Sequence, residues 1–440
     1  MIDVSSKLST IAKNIMDGLK DFQQATVNRI DQLFKEGQKR ILVSDEVGLG
    51  KTLIARGTIA KLALYQKEHF DNLVKVVYIC SNGAIAEQNL KKLRIVEEVR
   101  TESMRSSRLS MQHLAIFNQE NDSDLLRRYI QLIPLTPDTS FRITSGAGTV
   151  SERALMFAIL SRLEALQEYL PELEVVMIHD ANVSWHGNDG KNAWEKAVLE
   201  CDKNSDGGYI SYMKKAVQQG LEEKQADGAS LIEKVIEACL EIREKGIRGR
   251  IATLVIGKLR LLFSKISLDK LEPDLVIMDE FQRFKYLLDS DPTSEMGMLS
   301  QKFFSANDVK MLLLSATPYK MYSTLEEIDE SLLDEHFIEF WRVMEFLCKN
   351  KEESQYFKEV WSDYSIKLKE FSSGDYTILS AKKRAEEETY KRVCRTERVS
   401  AREISRVVDD SSIKTPIKVL EQDVKSYLAL ETLLRAIGSS

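Results

Sequence analysis

The stretch Ser44-Asp45-Glu46-Val47-Gly48-Leu49-Gly50-Lys51-Thr52 decides how the chain is read. It lies between two apolar runs, Ile41-Leu42-Val43 and Leu53-Ile54-Ala55, and so predicts a buried strand, a glycine turn and the first turn of a helix. Such a turn cradles phosphate. Gly48 and Gly50 let the backbone approach an anion, and the helix start aims free N–H groups at it. Lys51 is placed to reach the β- and γ-phosphates and Thr52 to ligate Mg²⁺. Asp45 stands where the pattern usually begins with glycine.

Two later strand ends complete the candidate site. Leu275-Val276-Ile277-Met278 runs into Asp279-Glu280, a buried strand with two carboxylates emerging at its carboxyl end. Beside a phosphate loop, Asp279 would hold Mg²⁺ and Glu280 would polarise the attacking water, so both are read as catalytic together with Lys51. A further strand, Val309 to Leu314, ends in Ser315-Ala316-Thr317-Pro318. Hydroxyls at Ser315 and Thr317 can exchange hydrogen bonds with the acid pair and couple phosphate state to domain movement. Upstream, Gln23 can offer its amide to both edges of adenine, or serve as an ordinary polar helix residue.

Composition sets limits on the rest. The 440 residues are 43% apolar and 30% charged, an ordinary soluble balance with room for two or three domains. A formal net charge of −6 argues against a chain that coats nucleic acid, so such binding needs a local basic face. Cys80, Cys201, Cys239, Cys348 and Cys394 lie far apart, without ligand spacing, and read as reduced buried thiols. His179 and His186 flank Trp185 but lack a second ligand pair, and read as structural. No apolar run has the length of a membrane span, and the N-terminus lacks a signal-peptide core, so the expected setting is the cytoplasm, with no membrane partner.

The remaining segments place these motifs. Leu8, Ile11, Ile15 and Leu19 predict an N-terminal amphipathic helix. Leu73 to Cys80 reads as a second parallel strand, followed by Ser81-Asn82-Gly83 and a helix from Ala84 to Leu93. Ser81, Asn82, Lys91, Lys92 and Arg94 either touch a nucleic-acid backbone or form a solvated face. Residues 94–133 carry apolar clusters and arginines, and the loop around Arg142 and Ser145 either contacts phosphate or simply connects. Residues 151–245 predict helices, with Val175 to Asp180 as a candidate strand, and Arg250 to Gly257 reads as the strand at which the α/β pattern resumes. The helix over 325–370 has aromatic residues that read as core, and the basic run from Lys382 through Arg398, Arg402 and Arg406 reads as a charged helix or a nucleic-acid contact.

Taken in this order, the motifs resemble the first RecA-like domain of superfamily-2 helicases and translocases, over most of residues 20–320. The loop with Asp45 looks closest to the Swi/Snf-type branch. On that resemblance Gln23 is the adenine reader; Gly48, Gly50, Lys51 and Thr52 are the phosphate loop; Asp279 and Glu280 are the acid box; and Ser315, Ala316 and Thr317 are the coupling motif. Cys80 to Gln88 is similar to a nucleic-acid backbone element. Phe281-Gln282 departs from the chromatin-remodelling members and points to a divergent, prokaryotic ATPase of the kind found in restriction and phage defence. The implied fold is an α/β RecA-like parallel sheet flanked by helices. Its parts are 1–150 and 246–325, with a helical insertion at 151–245 and a helical extension at 326–440. The implied activity is ATP-dependent, Mg²⁺-dependent translocation on nucleic acid, DNA before RNA. Such motors need a second RecA-like domain that contributes an arginine. The apolar pattern of Val419 to Ile437 runs almost to Ser440, so the expectation is that a longer polypeptide, or another chain, supplies it. The competing expectation is a nucleotide-gated assembly component with little turnover of its own.

Overall fold

The computed structural model describes residues 4–96, 108–120, 129–136, 147–284, 291, 294–304, 309–315, 340–369 and 377–396, with breaks at 71–72, 82, 180–181, 225–226 and 247–249, and a few residues between 422 and 430. Six strands form one parallel sheet in the order β3-β2-β4-β5-β1-β6. They are β1 (Arg40–Val43), β2 (Val74–Ile79), β3 (Ile130–Leu135), β4 (Leu275–Asp279), β5 (Lys310–Leu314) and β6 (Val393–Cys394). The expected RecA-like parallel sheet with flanking helices is present. Met1–Thr396 form one compact unit and Glu397–Ser440 a second.

Each strand is buried along nearly its whole length because both faces are covered. Ile41, Val43, Val76, Tyr78, Ile277 and Leu312 face a layer built from α1 (Val4–Asp17), α2 (Asp21–Lys35), α3 (Lys51–His69) and α4 (Gly83–Leu93). Leu42, Val77, Ile79, Val276, Met278 and Leu313 face the opposite layer, with Phe281, Phe303, Phe340, Met344 and Phe357. Charged residues stand at strand ends (Arg40, Asp279 and Lys310), except Lys75 of β2, which is buried and paired with Glu120 at 3.1 Å; the rest of each strand is a nearly continuous apolar run.

A third core belongs to α5 (Gln112–Glu120), which precedes β3, and to the helices between β3 and β4: α6 (Val150–Leu160), α7 (Leu170–Ile178), α8 (Lys191–Asn204), α9 (Gly208–Glu222), α10 (Leu231–Lys245) and α11 (Arg250–Leu271). Two strand expectations are corrected here. Arg250 to Gly257 is the start of the 22-residue helix α11, whose buried Ala252, Val255, Ile256, Leu259, Phe263 and Ile266 recur at helical spacing. Its last turns place Leu268 and Leu271 in the sheet core, so this one helix serves both cores. Val175 to Asp180 falls largely on α7, where Leu173, Val176 and Met177 are buried on one face while Val175 is exposed.

Two strands went unread. β3 carries Pro134, which argues against a central strand; it pairs only with β2 and so lies on an edge, where a missing donor is tolerated. β6 has two residues, too short for a pattern, and pairs with β1. It follows the helix over 340–347, α12 (Glu295–Phe304) having come before it, and then α13 (Lys351–Lys369) and α14 (Thr377–Tyr390). The segment expected as a helical extension therefore returns to the sheet before Thr396. All five cysteines are buried and free. Among the described residues no helix is long and apolar enough to cross a membrane.

The helical block is pinned by a buried ion pair. Glu152, at the start of α6, meets Arg260 of α11 at 3.0 Å, both 2% exposed, and also accepts from Ser110. Gly148 has φ +70°, and a Cβ there would lie 2.6 Å from Arg260 Nε, so the approach requires glycine. Removing one partner leaves a buried charge. Arg260→Met is expected to destabilise the fold by about 3–5 kcal/mol in urea titration, and Glu152→Leu added to it to restore most of that loss. A single variant as stable as wild type would show that the pair does not hold the block.

Candidate functional site

Strand register brings the candidate residues together. Val43 of β1 pairs with Leu314 of β5, and Leu314 pairs with Asp279 of β4, so three carboxyl ends finish at one level. The phosphate loop, Ser315 and the acid pair leave the sheet side by side, in the crevice where open parallel sheets bind ligands. Ser315, 1% exposed, donates its backbone N–H to Val43 O at 3.0 Å and so spans two of these ends.

The loop adopts a conformation that glycine permits. Gly48 and Gly50 have φ +85° and +82°, and a Cβ on Gly50 would meet Gln23 Nε2 at 2.4 Å. Gly50 precedes α3, which starts with no side-chain cap. Gly50 has no side chain with which to cap the first N–H groups of the helix, at the carboxyl-end crevice of the sheet. Lys51 Nζ donates to Asp45 O at 2.8 Å and to Glu46 O at 3.1 Å. Burial lowers its pKa, against the opposing fields of Asp45, Asp279 and Glu280. The acid pair thus acts electrostatically on the loop lysine across the intervening strand.

Gln23 is nearly buried and braces the loop. Its Nε2 donates to Leu49 O at 2.9 Å, while its Oε1 accepts from Lys20 N at 3.0 Å. Both ends of the amide are engaged, which ties α2 to the glycine turn. Thr52 lies in the first turn of α3, half-buried beside Lys51.

Asp279 is held from the neighbouring strand. Tyr78 of β2 donates its hydroxyl to Asp279 Oδ2 at 2.5 Å, and Asn89 of α4 donates to the same oxygen at 3.2 Å and to Tyr78 Oη at 2.9 Å. Burial and the Asp279 charge push the Tyr78 phenol far up, so it remains a donor. Glu280 takes φ +56°, which turns the chain at the strand end, and its carboxylate meets Arg283 at 2.8 Å on the surface. Phe281 next to it is buried and stacks on Phe346, with centroids 6.2 Å apart.

These donors fit a magnesium–triphosphate. Mg²⁺ is commonly held by one or two protein oxygens together with phosphates and water, and one carboxylate fixed through a single oxygen beside a threonine is such a set. Among the described residues no group of three or more His, Cys, Asp or Glu side chains is arranged to hold a metal by itself.

Other candidates are not gathered here. Lys91 and Lys92 lie on the last turn of α4, about 15 Å along the helix from its start at the strand end. Ser81 is near the end of β2. Asn82, Arg142, Ser145, Ala316, Thr317, Arg398, Arg402, Arg406 and the run from 419 to 437 lie outside the described residues, apart from a few positions in that run. Lys382, Lys383 and Arg384 face Glu386, Glu387 and Asp363 respectively, the pairing of a solvated helix.

Sequence reasoning missed Tyr78, Asn89 and the carboxylate of Asp45. Tyr78 had a signal: a polar tip near the carboxyl end of an otherwise aliphatic strand. Asp45, fully buried, accepts from Thr396 N at 2.6 Å, a contact spanning 351 positions that no local pattern shows.

No curated protein and no solved structure matches the chain. Residues 17–180, which hold Gln23, the phosphate loop and strands β1 to β3, match a family of superfamily-2 helicase N-terminal RecA-like domains, described as type III restriction enzyme, res subunit.

Proposed function

We propose that the chain is the N-terminal motor half of an ATP-dependent nucleic-acid translocase. The observation that carries this reading is the common level of the three strand ends, which sets Lys51 within the field of Asp279 and Glu280. Magnesium bound there would neutralise charge developing on the phosphates. Lys51 and the start of α3 would bind the β- and γ-phosphates, Thr52 and Asp279 would hold the metal, and Gln23 would exchange its bonds to Leu49 O and Lys20 N for adenine. Glu280 takes a proton from the attacking water as general base. Its turned backbone and half-exposed carboxylate support that role, since a base must reach into the crevice. Ser315 and Thr317 pass the phosphate state on.

The match to a restriction-enzyme subunit supports duplex DNA as the track and a place in prokaryotic defence against foreign DNA. A second RecA-like domain, in this polypeptide or another, closes over the nucleotide and brings an arginine to it. Val47 at the loop tip is 74% exposed, an apolar side chain suited to such a contact.

Three variants test the assignment in the intact protein. Lys51→Ala is expected to weaken nucleotide binding and abolish DNA-stimulated hydrolysis. Glu280→Gln is expected to retain binding while turnover falls on the order of 10²–10⁴-fold. Tyr78→Phe keeps the ring but leaves Asp279 Oδ2 with only the longer bond from Asn89, and is expected to raise the Mg²⁺ concentration needed for half-maximal turnover by about 10–100-fold, with recovery at high Mg²⁺. ATP binding without DNA-dependent turnover would favour a nucleotide-gated assembly component, and stronger competition by RNA would replace the track.

A further inference from the structure

Asp45 uses two of its groups for two different partners. Its carbonyl accepts from Lys51 Nζ at 2.8 Å, and its carboxylate Oδ1 accepts from Thr396 N at 2.6 Å. Its remaining oxygen, Oδ2, has no hydrogen-bond partner among the described residues. A fully buried carboxylate that accepts from the backbone and side chain of Thr396, in the field of Lys51 and Arg395, does not release Thr396 cheaply, because hydrogen bonds made in a desolvated site would be lost without water to replace them.

The other end of this contact is equally defined. Leu42 N donates to Arg392 O at 2.9 Å and Ser44 N to Cys394 O at 2.9 Å, so residues 392–394 run beside β1 to the mouth of the phosphate loop. Thr396 is then clamped by Asp45, with its hydroxyl 3.4 Å from that of Thr26, and it is the last residue of the unit Met1–Thr396. Glycine, the usual occupant of position 45 in such a loop, has no side chain with which to form this tie.

We propose that Asp45 is a positioning residue that links occupancy of the phosphate loop to the point where the chain leaves the ATPase unit. The proposal rests on the nucleotide-binding reading above. When Lys51 turns to a bound triphosphate it releases the Asp45 carbonyl, the loop backbone resets, and Thr396 follows because the buried carboxylate keeps its donor. Nucleotide state thereby reaches Thr396, the last residue of this unit, through two hydrogen bonds and one residue.

Hydrogen exchange of the intact protein, with and without Mg²⁺ and a non-hydrolysable ATP analogue, tests this. In wild type the Thr396 amide is expected to be protected, and exchange over residues 392–396 to change by about fivefold or more on adding the analogue. Asp45→Ala is expected to lose about tenfold or more of the Thr396 protection, and Asp45→Asn, which keeps an acceptor oxygen, to retain most of it. Thr396→Pro removes the donor without touching the loop, so analogue binding persists while the response at residues 392–395 disappears. A wild type that binds the analogue with unchanged exchange over 392–396, or a Thr396→Pro variant that responds as wild type does, overturns the link and leaves the motor reading standing. Failure of wild type to bind the analogue overturns both.

Discussion

Everything at the candidate site depends on the parallel pairing of β1, β5 and β4. Parallel strands end on the same edge, and here the register carries Val43, Leu314 and Asp279 to one level. A slip of one residue on β4 would turn Asp279 to the opposite face, away from Tyr78, and bury a neighbouring methionine or glutamate in its place. Such a slip is excluded by burial. Leu275, Val276, Ile277 and Met278 are all fully buried, with alternate members in different cores, so the register is enforced by two apolar layers at once. Burying each of these side chains contributes roughly 1.5–3 kcal/mol, far more than any polar contact at the strand ends. Hydrophobic packing therefore fixes where the carboxylate emerges, and hydrogen bonds only set its direction.

That division of labour explains the Tyr78 hydroxyl. Asp279 sits half-buried at the edge, where water competes for it and a free carboxylate would rotate. Tyr78 anchors one oxygen from the adjacent strand and Asn89 steadies the pair from α4. The ring of Tyr78 is part of the sheet core while its tip serves the site, so the orientation of Asp279 is inherited from packing between strands and helices.

The fold and the centre of the site were legible because their signals are local. The β1–loop–α3 transition is read from Ile41 to Ala55, and β4 with its acid pair from ten consecutive residues. Helices between 151 and 245 showed their own periodicity. What escaped was decided at a distance. The run Arg250 to Gly257 is rich in β-branched and apolar residues, and only its continuation to Leu271, against two different cores, makes it a helix. β3 hid behind Pro134, and β6 is too short to carry a pattern, existing only because β1 offers it an edge. The partners of Asp45 and Asp279 lie 351 and 201 positions away, so residue types alone could name the carboxylates but not what holds them.

The segment that follows the coupling motif touches both nucleotide motifs, and it does so through contacts of different character. Behind the acid pair, Phe281 stacks on Phe346, which also packs edge-on against Phe304 and beneath the Arg40 guanidinium. Arg40 in turn donates to Phe346 O at 2.7 Å and Phe304 O at 3.2 Å. This is a broad apolar contact reinforced by charge-assisted hydrogen bonds, and packed interfaces of that kind resist small displacement. Beside the phosphate loop the connection is polar and narrower: Asp45 Oδ1 accepts from Thr396 N, Ser44 N donates to Cys394 O, and the Thr396 and Thr26 hydroxyls lie 3.4 Å apart. Apolar packing thus backs the acid pair, while directional hydrogen bonds at the end of β6 back the loop. On the link proposed above, a change of nucleotide state would be passed to Thr396 through those bonds.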